Sequence, residues 1–591
     1  MTSSVAQTTD FTRDVLGRYL CNGFDEAAAS GATRPFDTIV IGAGAFGAVV
    51  AQHLFHSDQQ RTHRILVLEA GPFVVPDHVQ NLPVLGLDVP DPAGGDPGPR
   101  NEVWGIPWLT DVEGGSVGLA YCVGGRSLFW GGWSPNLLEE ETPSPPWPAA
   151  VLADLKGGYL QSAADQLGVS AANEFVYGPL QNTLRQLLFE GLPGIADAIS
   201  LAELPDYPAV PPNPDRPTLL GLLGLPLDTP APPADADLRD MLKLEAPLAV
   251  QSRAPMPGFF ALNKFSGVPL LLEASRAAWS ESPGDDANRR LMVVPYCHVF
   301  RLDVAQAGDG WSVTAVETNR GSLQLSPGAR VVLALGAIEN TRLALVSLGG
   351  LGLPNAGCMG ANLQVHLRSN LMARVPKADL PGLDGASGLQ AAALILRGRH
   401  AVAGQMRHVH LQITASGLEG LSTDAEAKLY KLIPDIDTVD AFRNMTEDHV
   451  VIAVRGVAEM GAGNPASSIR LSSQTDEFGV PRAFMTITPT DDDHAMWDAT
   501  DALAGQVARA LGGPELEVIA SYRDGLGTTY HEAATLPMGD SPQASVTNAD
   551  ARFHFVDNLY ATGPALFPTT GSPNPMLTGV ALARRLAEHL V

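Results

Sequence analysis

Residues 36–47 read Phe36-Asp37-Thr38-Ile39-Val40-Ile41-Gly42-Ala43-Gly44-Ala45-Phe46-Gly47, and residues 65–69 read Ile65-Leu66-Val67-Leu68-Glu69. An apolar strand runs directly into G-x-G-x-x-G and then into the helical sequence AVVAQHLF, before a second apolar strand. This is the strand–turn–helix–strand context of a dinucleotide-binding unit, and it predicts an α/β, Rossmann-type core. Gly42 permits the tight turn, Gly44 lets the backbone approach a pyrophosphate, and Gly47 lets the helix lie close to the strand. Ala45 and Phe46 stand at the helix N-terminus, whose free amides would face the phosphates. Glu69 follows Gly47 by 22 residues, where a carboxylate can accept hydrogen bonds from both ribose hydroxyls and would repel a 2′-phosphate. The motif alone leaves FAD and NAD both open.

The composition bounds what surrounds this unit. The chain has 591 residues with 60 Gly, 47 Pro, 45% hydrophobic and 17% charged residues. At roughly 150 residues per domain this is two to four units or one large interleaved pair, with enough apolar sequence to exclude a disordered protein. A formal net charge of −26 disfavours nucleic acid and anionic lipid as partners. Cys21, Cys122, Cys297 and Cys358 lie far apart with no C-x-x-C pair, which argues against structural zinc or a disulfide framework. The first residues, MTSSVAQTTDFTRD, have neither a basic start nor an apolar run, and no apolar stretch reaches the roughly 18 residues of a membrane helix. A cytoplasmic protein without a membrane partner is expected.

Further along, residues 11–29 read as a short helical arm and the Pro- and Gly-rich 83–100 as a surface loop. Ten prolines in 203–234 predict an extended excursion suited to a lid or an oligomer contact. Residues 290–302 and 330–335 are strand-like, while 407–414 and 482–488 alternate as half-buried antiparallel strands do. A helix is expected near 495–511, preceded by Asp491-Asp492-Asp493 as a solvated cap, and another from Pro575 to the end. The pattern predicts a Rossmann-type domain interleaved with an α+β substrate domain containing a mainly antiparallel sheet. The first takes residues 1–140, 286–366 and 521–591; the second takes 141–285 and 367–520.

Val123-Gly124-Gly125-Arg126-Ser127-Leu128-Phe129-Trp130-Gly131-Gly132 resembles the G-G-x-S segment of the glucose–methanol–choline (GMC) flavin oxidoreductases. Residues 331–343 (VVLALGAIENTRL), 358–366 (CMGANLQVH), 476–482 (DEFGVPR) and Asp557 through Pro575 resemble further family segments, in the family's order. Within the family the pieces look similar to bacterial pyranose-oxidase-like members. The resemblance implies FAD as the cofactor, held by Gly42, Gly44, Ala45, Phe46, Gly47, Glu69, Gly124, Gly125, Ser127, Val299, Gly563, Asn574, Pro575 and Met576. Some relatives attach FAD through a histidine in the G-G-x-S segment. Phe129 stands there and has no nucleophilic nitrogen, so non-covalent FAD is expected.

Alcohol oxidation removes a hydroxyl proton and a carbon-bound hydride, which calls for a base, a partner for the oxygen and a flavin within reach. The resemblance assigns these roles to His531, before Pro537-Met538-Gly539, and Asn574. Imidazole has an ordinary pKa near 6.5, and an amide can donate to the substrate oxygen without competing for the proton. The closing helix, with Met576, Gly579, Ala583, Leu586 and Leu590 on one apolar face, would aim its positive end at the flavin. His408, His410 and Gln412 share a strand face, read first as exposed polar surface and second as substrate lining; no metal site is expected. Trp130 and Trp133 are read first as core, and Tyr522 and Arg523 as near enough to His531 to face substrate. The reading that results is FAD-dependent oxidation of a CH–OH group on a sugar, polyol or other alcohol, with oxygen or another electron acceptor. Non-redox lyase chemistry in the same pocket, a non-catalytic flavoprotein and an NAD-dependent dehydrogenase are the alternatives.

Overall fold

The computed structural model describes residues 20–21, 23–79, 104–105, 107–111, 118–142, 146–169, 178–208, 210–228, 234–251, 263–308, 310–383, 385–418, 442 and 444–591. The loop expected at 83–100 and the first part of the helical arm lie outside them. The arm's helix within them runs Phe24–Thr33.

Strands Leu559–Ala561, Arg330–Leu333, Thr38–Ile41, Ile65–Leu68 and Leu291–Val294 lie in that order in one sheet, every neighbouring pair parallel. Thr38–Ile41 and Ile65–Leu68 are buried along their whole length, as strands covered on both faces must be. Helices Ala45–Ser57 and Met576–His589 pack against each other beside this sheet. The closing helix begins at Met576, one residue later than expected, with Pro575 preceding it. It is also buried around most of its circumference, Leu577, Thr578, Val580, Ala581 and Leu582 included, because neighbouring elements cover it on several sides.

A second sheet orders Gln390–Val402, Gln405–Gly417, His449–Glu459, His366–Pro376 and Glu517–Arg523, all antiparallel. Helix Asp491–Gly512 lies along one face, with Gly398 facing Leu503 and Gly456 facing Thr500. The opposite face carries His366, Arg368 and Asn370 on one strand, His410 and Gln412 on another, Arg397 on Gln390–Val402 and Arg455 on His449–Glu459, by the ladder registers. This face was expected to be solvated, yet His408, His410 and Gln412 are all buried. The sheet is covered on both sides, and polarity alone cannot tell exposed surface from a buried polar lining.

Other expectations shift with the packing. Helices Ala149–Asp154, Leu160–Leu167 and Val268–Glu281, assigned by sequence to the second unit, place Val151, Ala163, Leu167, Leu271 and Ala274 in the core around the parallel sheet. The proline-rich excursion is not simply extended. Helices Arg216–Leu222 and Asp235–Leu242 close a small core of Tyr207, Leu219, Leu223, Leu238 and Met241. Prolines are tolerated because Pro217 occupies a first-turn position, with Asp215 capping the Thr218 amide. Asp493 is buried rather than solvated, bound to the Thr490 amide, the Gly461 amide and Arg407.

Candidate active site

The glycine turn sits at the C-terminal end of Thr38–Ile41, and Gly44 pairs in parallel with Gly124. A Cβ on Gly47 would lie 2.0 Å from the Gly42 carbonyl oxygen, so this close helix–strand approach requires glycine. At Gly44 the position a Cβ would take meets nothing within 4 Å, and Gly44 is half-exposed amid buried neighbours. Helix Ala45–Ser57 has no acidic residue in its first turn. An open cradle before unblocked helix amides therefore fits a pyrophosphate. Glu69 is buried at the next strand's end, where its carboxylate accepts from the Ala43 amide (2.8 Å) and the Gly71 amide (2.9 Å). The Phe46 ring instead packs toward the closing helix: a Cβ on Gly579 would lie 2.3 Å from it, and one on Gly563 2.7 Å. Val299 opens the strand Val299–Ala307 and is buried.

Gly125 to Leu128 form a short 3-10 turn. The Ser127 hydroxyl donates to the Gly124 carbonyl and accepts from the Gly267 amide, fixing the loop from both sides. Arg126 forms a two-point ion pair with Glu532, at 3.0 and 2.8 Å, which ties this segment to the residue after His531. The facing carboxylate holds the Arg126 guanidinium above its usual pKa, overcoming the effect of burial. Phe129 and Trp130 are half-buried, and the Trp130 indole N–H donates to the Phe265 carbonyl. Trp133 is core, packed with Leu248, Val250 and Ile395.

His531 and Asn574 meet. The Asn574 Nδ2 lies 3.2 Å from His531 Nε2. Tyr530 at φ 58° and Ala534 at φ 68° flank the histidine, both in the left-handed region that costs a non-glycine residue of order 1–3 kcal/mol. On the other ring edge, His531 Nδ1 lies 2.7 Å from His366 Nδ1, and His366 Nε2 lies 2.9 Å from the Gly571 carbonyl oxygen. Gln412 donates to Asn574 Oδ1 at 3.0 Å, and its Nε2 lies 3.1 Å from His410 Nε2. His531, Asn574, Pro575 and Met576 keep partial exposure within an otherwise buried neighbourhood. Burial holds His531 well below its ordinary pKa, and neighbouring His366, Arg368, His410 and Arg126 push it the same way. Burial likewise lowers His366 to about 4.

Sequence reading singled out neither His366 nor the Glu141 clamp. The Glu141 carboxylate accepts from the Leu138 amide (2.8 Å) and from the amide and hydroxyl of Ser572 (3.0 and 2.5 Å), and Arg397 lies 3.8 Å away. His366 stood inside the quoted 358–366 segment, but only the strand register brings it to His531. Conversely, Arg523 is turned to the far face, paired with Asp498 and Asp501 and 5.0 Å over the Trp497 ring. Tyr522 lies at the exposed sheet edge, opposite Asn370. Alternate strand residues face opposite ways, so Arg523 leaves the polar face while Tyr522, paired with Asn370, stays on that side at its solvent edge. The pieces 331–343 and 476–482 do meet: Arg342 forms ion pairs with Glu339 and Asp476 and donates to the Pro481 carbonyl.

Fold and site together define a Rossmann-type parallel sheet joined to an antiparallel sheet whose polar face meets the His531–Asn574 pair. The chain matches the family model described as GMC oxidoreductase over residues 463–583, which contain His531 and Asn574. It is similar to the C-glycoside 3-oxidase of Microbacterium trichothecenolyticum, 34% identical over 119 residues, 20% of this chain and 23% of that protein. It is also similar to the paromamine 6′-oxidase of Streptomyces fradiae, 31% identical over 126 residues, 21% of this chain and 23% of that protein. The alignments thus span less than a quarter of these relatives' length. Pyridoxine 4-oxidase from Mesorbium loti shares the fold, with a TM-score of 0.52 at 14% identity, covering 94% of this chain and 99% of that one.

Proposed function

We propose that the protein is an FAD-dependent oxidoreductase that converts a CH–OH group of a sugar, polyol or related alcohol into a carbonyl. The observation that carries this reading is the His531–Asn574 pair, set immediately before the N-terminus of helix Met576–His589. Three relatives, named as oxidases of a C-glycoside, of paromamine and of hydroxyparomomycin, support the substrate class.

The residues divide the work. His531 Nε2 accepts the hydroxyl proton, and the Asn574 amide donates to the same oxygen; a spacing of 3.2 Å lets one oxygen reach both. Burial holds His531 well below its ordinary pKa, so at neutral pH its imidazole is in the unprotonated form from which a base must start. Gly44, the first amides of Ala45–Ser57 and Glu69 would hold the ADP half of FAD, with Gly124, Gly125, Ser127, Gly563, Pro575 and Met576 against the remainder. FAD when bound supplies the hydride acceptor. The unblocked N-terminus of the closing helix places partial positive charge where negative charge develops. Phe129 supports non-covalent attachment. The nucleotide unit we propose spans 1–140, 286–366 and 521–591, joined by the helices from 149–167 and 268–281 that share its core.

The visible spectrum of the purified protein, taken anaerobically before and after a panel of sugars, polyols and simple alcohols, tests the proposal. Bleaching of a flavin band by one compound supports it and names the substrate class, and readmitting air separates an oxidase from a dehydrogenase. Failure to bind FAD on reconstitution overturns it. Acid precipitation should leave the yellow colour in the supernatant; colour in the pellet would refute non-covalent attachment.

A further inference from the structure

We infer that His366 is a positioning residue that fixes His531 in the tautomer whose Nε2 lone pair is free to take the substrate proton. The inference rests on His531 being the base proposed above. Its starting point is the Gly571 carbonyl, which can only accept a hydrogen bond and lies 2.9 Å from His366 Nε2. That nitrogen must therefore carry the hydrogen. A neutral imidazole carries one, so His366 Nδ1 is bare and can only accept. His531 Nδ1 lies 2.7 Å from it, and two nitrogens at that distance need one hydrogen between them. His531 Nδ1 supplies it, which leaves His531 Nε2 bare and aimed at Asn574.

Two further observations agree. The rings meet nearly edge-on, at an interplanar angle of 83° with centroids 4.9 Å apart, so the N···N contact joins them rather than stacking. The amide is set independently. Gln412 donates to Asn574 Oδ1, so the Asn574 NH₂ group is the part that faces His531 Nε2. Burial, which lowers His366 to about 4, keeps it in the neutral form this requires. His366 opens a strand of the antiparallel sheet, and Gly571 belongs to the loop that carries Asn574. One imidazole thus couples sheet, base and amide. Without it, His531 is free to place its hydrogen on Nε2, where it could not act as a base.

The test uses ¹⁵N-histidine-labelled holoenzyme, with the His531 nitrogen signals assigned by their loss in His531→Gln. Wild type should show a protonated Nδ1 and a bare Nε2. His366→Leu should shift His531 toward the Nε2–H form and slow flavin reduction on the order of 10²-fold, with substrate affinity unchanged. His366→Asn, which places an acceptor oxygen near the former Nδ1 position, should recover the tautomer and most of the rate. A wild-type His531 that carries its hydrogen on Nε2 overturns the inference even if His366→Leu does not fold. So does a tautomer unchanged in His366→Leu. If instead the tautomer behaves as stated but His531→Ala reduces its flavin at the wild-type rate, the base assignment has failed and the tautomer-setting contact stands.

Discussion

The two large sheets are both buried, and they bury opposite chemistries. The parallel sheet hides Ile39, Val40, Ile41, Ile65, Leu66, Val67 and Leu68, each at most 1% exposed, and leaves chemistry to the loops at its strand ends. The antiparallel sheet does the same on the side that meets Asp491–Gly512, but its other side buries His366, Asn370, His410, Gln412 and Arg455. Apolar burial stabilises at about 25 cal/mol per Å², whereas a buried polar group costs free energy unless it is hydrogen-bonded or paired. The first sheet is thus self-supporting as a frame. The polar face depends on the bonds its residues make, and two of them, from His366 and Gln412, reach His531 and Asn574. Stability and function are separable in one sheet and coupled in the other.

The largest effect that distinguishes them is catalytic. His531→Ala should slow flavin reduction on the order of 10²–10⁴-fold while FAD content stays at the wild-type level, because the glycine turn and Glu69 are remote from the change. Stopped-flow reduction with a turned-over alcohol measures it. An unchanged rate would remove His531 from the mechanism, and loss of FAD along with the rate would mean that site and frame are not separable.

Next comes a residue in which both roles combine. Glu141 is fully buried, faces Arg397 and holds Ser572, two residues before Asn574. Glu141→Gln leaves Arg397 buried without its countercharge, and breaking a buried pair in this way costs roughly 3 kcal/mol. Urea unfolding should show that loss, together with slower flavin reduction as the Asn574 loop relaxes. A stability loss without any change in rate would show that Glu141 supports the frame alone.

The same contrast explains what the sequence made legible. The nucleotide unit was readable because strand, glycine turn, helix and acid lie within residues 36–69, where local rules of spacing suffice. The expectation that His531 and Asn574 act together rests on motif resemblance alone, and the structure brings the two side chains to 3.2 Å. His366, Gln412 and Glu141 reach the site through strand register and loop packing over sequence separations that no local pattern encodes. The burial of His408, His410 and Gln412 escapes the sequence for a related reason: alternation identifies two faces but not what covers each. At Arg523 the alternation itself turns the side chain away from His531 despite its nearness in sequence.

The smallest effect is a pH dependence of stability confined to the polar face. His366 titrates near 4 when folded and at an ordinary 6.5 when unfolded, because burial disfavours its charged form. Between those values the unfolded chain binds a proton that the folded chain refuses, so stability is full above pH 6.5 and falls as pH drops toward 4. One pH unit below 6.5 costs about 1 kcal/mol for this residue. His531 and His410 on the same face act with the same sign, while Glu141 opposes the shift at His366. The fall in unfolding free energy between pH 7 and pH 5.5 should therefore be smaller by about 1 kcal/mol in His366→Asn than in wild type, since the variant has no imidazole to titrate. Paired urea titrations at the two pH values measure it. An identical fall in both proteins would mean that His366 takes its proton in the folded state as readily as in the unfolded one, and that the polar face is open to water.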